Sequence, residues 1–251
     1  MIYFVGAGPG NVDLITVKGR GLLETADVVI YAGSLVSPEH LKFCKAECEI
    51  HDSKSMTLED VIEVMDRAYN ENKKIVRLHT GDPTIYGAIR EQMDELDKLN
   101  IPYEVVPGVS SFTGAAAAIN REFTLPNVSQ TVILTRNAGR TPVPEEEDLE
   151  LLASHKASMA IFLSVQDMDS VVAKLIKGYG DSKVPVAVVY KATWEDQEIL
   201  YGTLEDISQK VKDANIDKMS QILVGYFIEG EYEKSKLYDK NFTHKFRAAT
   251  K

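Results

Sequence analysis

A chain of 251 residues, 44% hydrophobic and 26% charged, has a globular composition and enough length for one large domain or two ordinary ones with cores of their own. Its formal net charge of −10 excludes an electrostatic grip on nucleic acid, which needs a basic face to neutralise phosphate, and leaves small molecules as the expected partners. Cys44 and Cys48 are too few for a disulfide scaffold, no apolar run approaches the ~18 residues of a membrane span, and the opening MIYFVGAGPG lacks the features of a signal peptide, so a cytoplasmic protein without a membrane partner is expected.

IYFVGAG reads as a first strand, and its glycines invite comparison with a dinucleotide site. Gly6 and Gly8 fit G-x-G-x-x-G, but Asn11 holds the third position, Pro9 and Gly10 make a rigid loop, and the next strand, DVVIYAGS, closes without an acidic residue for a ribose. The spacing argues against NAD, yet the loop still stands at a carboxyl edge, where open α/β sheets bind ligands. Cys44, Cys48 and His51 come next. Three ligands without a fourth do not make a structural zinc site, and no metal is expected.

TLEDVIEVMDRAYNENK is a helix: Leu58, Val61, Ile62, Met65 and Tyr69 trace one face, and Thr57 with Asp60 forms a capping-box start. KKIVRLHT is a buried strand that stops at LHTGDPTIYG, where Gly-Asp-Pro is ordinary turn punctuation, and TIYGAIREQMDEL after it reads as a helix. YEVVPG is a further strand, and PGVSSFTGAAAAINREF a small-residue helix. Beyond TLPNVSQ the strands TVILTR, SMAIFLS, VPVAVVYKAT, EILYGTL and QILVGYF recur, with helices such as TLEDISQKVKDA between them. The acidic PVPEEEDLELLA suits the first turn of a helix.

This alternation predicts two α/β domains with mainly parallel sheets flanked by helices, spanning 1–124 and 131–251 and joined at 125–130. Polar and small residues crowd the turns YAGSLV, HTGDP, VPGVSS, LTRNAGRTP, FLS and VVYKATW in both halves, so the active site is expected in a cleft between the domains.

In this order, VGAGPGNVDLITVKGRGLL, TGDPTIYG, VPGVSSF and GTLEDI resemble the tetrapyrrole methylases, enzymes that use S-adenosylmethionine to methylate porphyrinoid and corrinoid precursors. The likeness covers almost the whole chain. YAGSLVSPE, TGDPTIYGAIREQM, QTVILTRNAGRTPVPE and SKLYDKNFTHKFR are most similar to the branch of the family that serves cobalamin synthesis. The resemblance implies a homodimer with S-adenosyl-L-methionine in the cleft, S-adenosyl-L-homocysteine as product and a tetrapyrrole as substrate. By the family pattern Pro9, Gly81, Asp82 and Ile85 line the cofactor pocket, with the Asp82 carboxylate toward its cationic end. Ser110 and Ser111 contact the methionine part, and Leu163, Tyr190 and Ala192 enclose the adenosine. Ile85 and Leu163 equally suit a core, and the serines a helix cap. The chain departs from the pattern at KMSQILVG, which bears on Ser220 and Gln221.

The implied acceptor carries many carboxylates, so Arg136, Arg140 and Lys191 are candidates to bind it, arginine because its planar fork pairs carboxylates bidentately. Lys54, Lys245 and Arg247 are further candidates. No catalytic base is assigned; His79, at the end of a buried strand, reads as structural. A sister methylase acting at another ring position, a diphthamide-type methylase and a metabolite sensor without turnover remain alternatives.

Overall fold

The computed structural model describes residues 1–250, and the chain divides into two compact units, Met1–Gly114 with Lys191–Gln197, and Ala115–Tyr190 with the chain from Glu198 onward. The division falls inside a helix. The expected linker, 125–130, lies within the second unit, where Leu125 and Ser129 form an isolated bridge.

In the first unit, β1 (Ile2–Gly6), β2 (Val28–Tyr31), β3 (Glu49–Asp52), β4 (Ile75–His79) and β5 (Tyr103–Val106) form one sheet in the order β3-β2-β4-β1-β5. All its pairings are parallel. The connections carry α1 (Val17–Glu24), α2 (Leu58–Asn70) and α3 (Ile89–Lys98), and α4 (Ser111–Ala118) follows β5. Successive side chains on a strand face opposite ways. Ile2, Phe4, Ile30 and Ile75 accordingly pack with Met65 and Leu96 in one core, while Val5, Val29, Val76 and Leu78 pack with Leu23 in another. The capping box of α2 is present, Thr57 accepting from the Asp60 amide and Asp60 from the Thr57 amide.

Two local features differ from the expectation. Strand β3, EIHD, has no apolar run because it is a half-exposed edge strand. The helix expected from Thr84 begins at Ile89, because Tyr86 and Ala88 are left-handed at φ 55° and 48° and break the helical path.

The second unit contains β6 (Val132–Arg136), α5 (Leu149–Ala153), β7 (Ser158–Phe162), α6 (Met168–Tyr179), β8 (Pro185–Tyr190), β9 (Glu198–Thr203), α7 (Ile207–Asp213) and β10 (Ser220–Val224). Its sheet runs β6-β7-β10-β8-β9. Here the expectation of a mainly parallel sheet needs correction: β6 and β7 are parallel, but β10 is antiparallel to β7 and β8, and β8 to β9. The connection 191–197 is too short for the crossover of a dozen or more residues that parallel neighbours require. Met159, Ile161, Val171, Leu175, Val188 and Ile222 are among its buried core. Among the described residues no helix is long and apolar enough to cross a membrane.

Candidate active site

Parallel strands deliver all their carboxyl ends to one edge, and β4, β1 and β5 are neighbours there. Their loops meet backbone to backbone. Gly81 N–H donates to Gly8 O at 2.8 Å, and Gly8 N–H to Gly81 O at 3.2 Å. A Cβ on Gly108 would stand 2.2 Å from Gly81 O and 2.8 Å from Gly6 Cα, and one on Gly6 would stand 2.6 Å from Gly81 O. Side chains at Gly6 and Gly108 would hold the three loops apart, so glycine is what closes the junction.

Asp82 fastens it. Its Oδ2 accepts from Gly108 N–H at 2.9 Å, and its Oδ1 accepts from the amide of Thr84 at 2.8 Å and from the Thr84 hydroxyl. Burial pushes this carboxyl up, but bonds from the Thr84 hydroxyl, the Gly108 amide and the Thr84 amide outweigh it and hold the group below the usual carboxylate range. Asp82 is therefore both the turn residue its motif suggests and a clasp between the β4 and β5 loops. Asp82→Ala is expected to cost about 2 kcal/mol, the worth of hydrogen bonds to a charged group. Urea denaturation checks this, and an unchanged midpoint would dismiss the clasp.

Pro9 is held from two sides. The indole of Trp194 donates to Pro9 O at 3.0 Å, a Cβ on Gly10 would stand 2.1 Å from Trp194 Cδ1, and one on Gly114 would stand 2.8 Å from Pro9 Cγ. Asn11 N–H donates to Thr193 Oγ1 at 3.0 Å. The segment Lys191–Gln197 thus packs on the β1 loop, with Ala192 buried in it. Lys191, expected to meet substrate, forms an ion pair with Asp196 and lies 5.4 Å from the centroid of the Trp194 ring. Lys191 and Thr193 are left-handed at φ 44° and 71°, and such strain clusters where ligands are clamped. Trp194 escaped the motif reading; its signal was being the single tryptophan of the chain, placed directly after the small-residue turn YKAT.

Ser110 is buried and its carbonyl accepts from Thr113 Oγ1 at 2.7 Å and from Gly114 N–H at 3.1 Å, and Ser111 opens α4. Gly81 Cα faces this turn, a Cβ there lying 3.5 Å from Ser111 N. Pro9, Gly81, Asp82, Ser110, Ser111 and Ala192 all belong to the first unit.

In the second unit, Leu163 follows β7, left-handed at φ 51° and 58% exposed, and Tyr190 ends β8. The Arg136 guanidinium donates to the carbonyls of Asn137, Thr141 and Pro142 at 3.3, 3.1 and 2.6 Å, so it braces the loop on which Arg140 is exposed. Gln221 Nε2 donates to Ile161 O at 3.0 Å, and Ser220 Oγ to Lys218 O at 3.1 Å. Of the remaining basic candidates, Lys54 pairs with Asp52 at 3.0 Å, and Arg247 donates to Leu237 O at 2.8 Å and Asp239 O at 2.6 Å. Lys245 lies 5.6 Å from the Phe246 ring centroid.

The first unit also has a half-open cavity of about 260 Å³, lined by Met56, Arg77, His79, Ile85 and Tyr86 among others. Ile85 is thus a cavity wall. Burial, and then the charge of Arg77, push the His79 imidazole down to about 3, and burial pushes the Arg77 guanidinium down to about 10.

The sequence pattern of the tetrapyrrole (corrin/porphyrin) methylases matches residues 1–208. A cobalt-precorrin-4 C(11)-methyltransferase of Methanocaldococcus jannaschii is 54% identical over 251 residues, 100% of this chain and 97% of that relative. Among solved structures, a cobalt precorrin-4 methyltransferase of cobalamin biosynthesis matches with a TM-score of 0.89 at 46% identity, over 91% of this chain and 96% of that one. A uroporphyrin-III C-methyl transferase from Thermus thermophilus, complexed with S-adenosyl homocysteine, shares the fold with a TM-score of 0.75 at 20% identity, over 91% of this chain and 93% of that one.

Proposed function

The chain belongs to the tetrapyrrole (corrin/porphyrin) methylase family, and on that premise we propose that it is the S-adenosylmethionine-dependent methyltransferase that methylates C11 of precorrin-4 or of its cobalt-bearing form. The observation that carries the reading is the glycine junction of β1, β4 and β5: three loops meet with bare backbone at the ligand-binding edge of a parallel sheet, in a chain matched end to end by a C11-methyltransferase. Loops that carry no side chains at their junction take up little room, which suits a bulky adenosyl cofactor.

When bound, S-adenosylmethionine supplies a methyl group already activated by its positive sulfur. The task left to the protein is orientation and exclusion of water. We assign Pro9, Gly81, Asp82, Ser110, Ser111 and Ala192 to the cofactor from the first unit, and Leu163 and Tyr190 from the second. Asp82 acts by fixing the amides of Gly108 and Thr84, and Trp194 by fixing Pro9. Arg140, exposed on a loop that Arg136 braces, is the second-unit candidate for a substrate carboxylate. No general base is assigned, because a reduced macrocycle is itself electron-rich at carbon. The resemblance further supports a cytoplasmic homodimer.

A sister activity at another ring carbon is the second reading, favoured by the shared fold of the uroporphyrin-III enzyme. Incubation with precorrin-4 and S-adenosylmethionine carrying a ¹³C methyl, followed by NMR of the product, separates the two. The expected result is a labelled methyl on C11. A label on another carbon would favour the sister activity, and no label at all would defeat the enzymatic reading.

A further inference from the structure

The cavity of the first unit contains a charge that the cofactor assignment leaves unexplained. Arg77 and His79 are two apart on β4 and so face the same side of the sheet, the side of Ile75 and the core formed with α2 and α3. They are 7% and 5% exposed. Arg77 Nε donates to Gln92 Oε1 at 3.2 Å and Nη1 to Ile30 O at 3.3 Å. Both acceptors are neutral, and among the described residues no carboxylate pairs with this guanidinium. His79 Nε2 has no hydrogen-bond partner.

A buried charge is costly unless it is paired, and buried polar atoms nearly always find partners. Two such groups side by side in the wall of one cavity point to a ligand that brings negative charge and hydrogen-bond acceptors together. The cavity measures about 260 Å³, below the range of roughly 300–1,000 Å³ that holds a whole drug-sized molecule. It suits an acid side arm. Glu91 also lines it, but this residue is exposed, so water screens its repulsion of an anion.

We propose that Arg77 and His79 form a carboxylate seat that holds one acid arm of the macrocyclic acceptor, the guanidinium donating to one oxygen and the imidazole Nε2–H to the other. This rests on the reading of the chain as a methylase of a polycarboxylate macrocycle. The seat explains how a protein with a net charge of −10 accepts such an anion: the cation that meets it is buried in the cavity wall, where attraction between charges is stronger than at the water-screened surface.

The test uses the full chain and uroporphyrin III, a stable octacarboxylate porphyrin, titrated by fluorescence, with S-adenosylhomocysteine calorimetry alongside. His79→Phe is expected to weaken porphyrin binding about tenfold and Arg77→Met about a hundredfold, as expected for losing one charge-assisted donor and then the charge itself. His79→Gln and Arg77→Lys should each recover part of the loss, and S-adenosylhomocysteine affinity should stay unchanged in all four. In the wild type, the ¹⁵N signal of the His79 imidazole should shift as porphyrin binds, which decides the matter even where Arg77→Met fails to fold. Wild-type porphyrin affinity in His79→Phe and Arg77→Met, or a His79 signal unmoved at saturation, overturns the seat and leaves the methylase reading intact. A wild-type chain that neither binds porphyrin nor transfers a methyl group to precorrin-4 overturns that reading, and the seat with it.

Discussion

Replacing Gly108 with alanine is expected to destabilise the protein by about 3 kcal/mol, the upper part of the usual range for forcing an extra methyl into a packed interior, and to remove S-adenosylhomocysteine binding. The added Cβ would stand 2.2 Å from the carbonyl oxygen of Gly81 and 2.8 Å from Gly6 Cα. These are main-chain atoms of two other loops, and no rotamer change relieves the clash. The loops must separate, and separation breaks the Asp82 to Gly108 bond of 2.9 Å and strains the paired Gly8 and Gly81 amides. Stability and ligand binding should therefore fail together. Gly21→Ala is the control: a Cβ there meets nothing within 4 Å, and the position lies in the interior of α1. That change is expected to stabilise by roughly 0.4–1 kcal/mol through the lower entropy of the unfolded chain. Urea denaturation and calorimetry on both variants check the pair, and a Gly108→Ala protein with wild-type midpoint and affinity would show that the junction has room to open.

Much of this was legible because buried parallel strands write themselves as apolar runs: IYFVG, VVIY, IVRLH and YEVV are β1, β2, β4 and β5. The direction of a strand is not written that way. VPVAVVY is as continuously apolar as the parallel strands, and only the short connection 191–197 shows that β8 and β9 must run antiparallel. Asp82 was legible as a turn residue, but its partner Gly108 lies 26 positions away. Asn11 and Thr193, which tie the β1 loop to the segment of Trp194, are 182 positions apart, a separation that leaves no local trace. The Arg77 and His79 pair was hidden for the opposite reason. The two lie on either side of Leu78 inside a strand that is buried throughout, His79 reads as structural, and only the structure shows the cavity beside them.

The same burial predicts how the protein responds to acid. His79 is held at about 3 in the fold against an ordinary value of 6.5, first by burial and then by Arg77. Glu91, the acidic residue of the cavity wall, is exposed and leaves that balance in place. Above the ordinary value the imidazole is neutral in both folded and unfolded chains and costs nothing. As the pH falls below it, the unfolded chain takes up a proton that the folded chain refuses, so stability declines by up to about 1.4 kcal/mol per pH unit and levels off only near the folded value. From about pH 6.5 to about pH 5, before most carboxylates titrate, this single group should remove roughly 1.6 kcal/mol. In His79→Gln that component is absent. Urea denaturation of both proteins at the two pH values should therefore show a decline smaller by that amount in the variant. Parallel declines would mean that the fold protonates His79 in place, in which case the wall of the cavity gives way to water long before the rest of the sheet does.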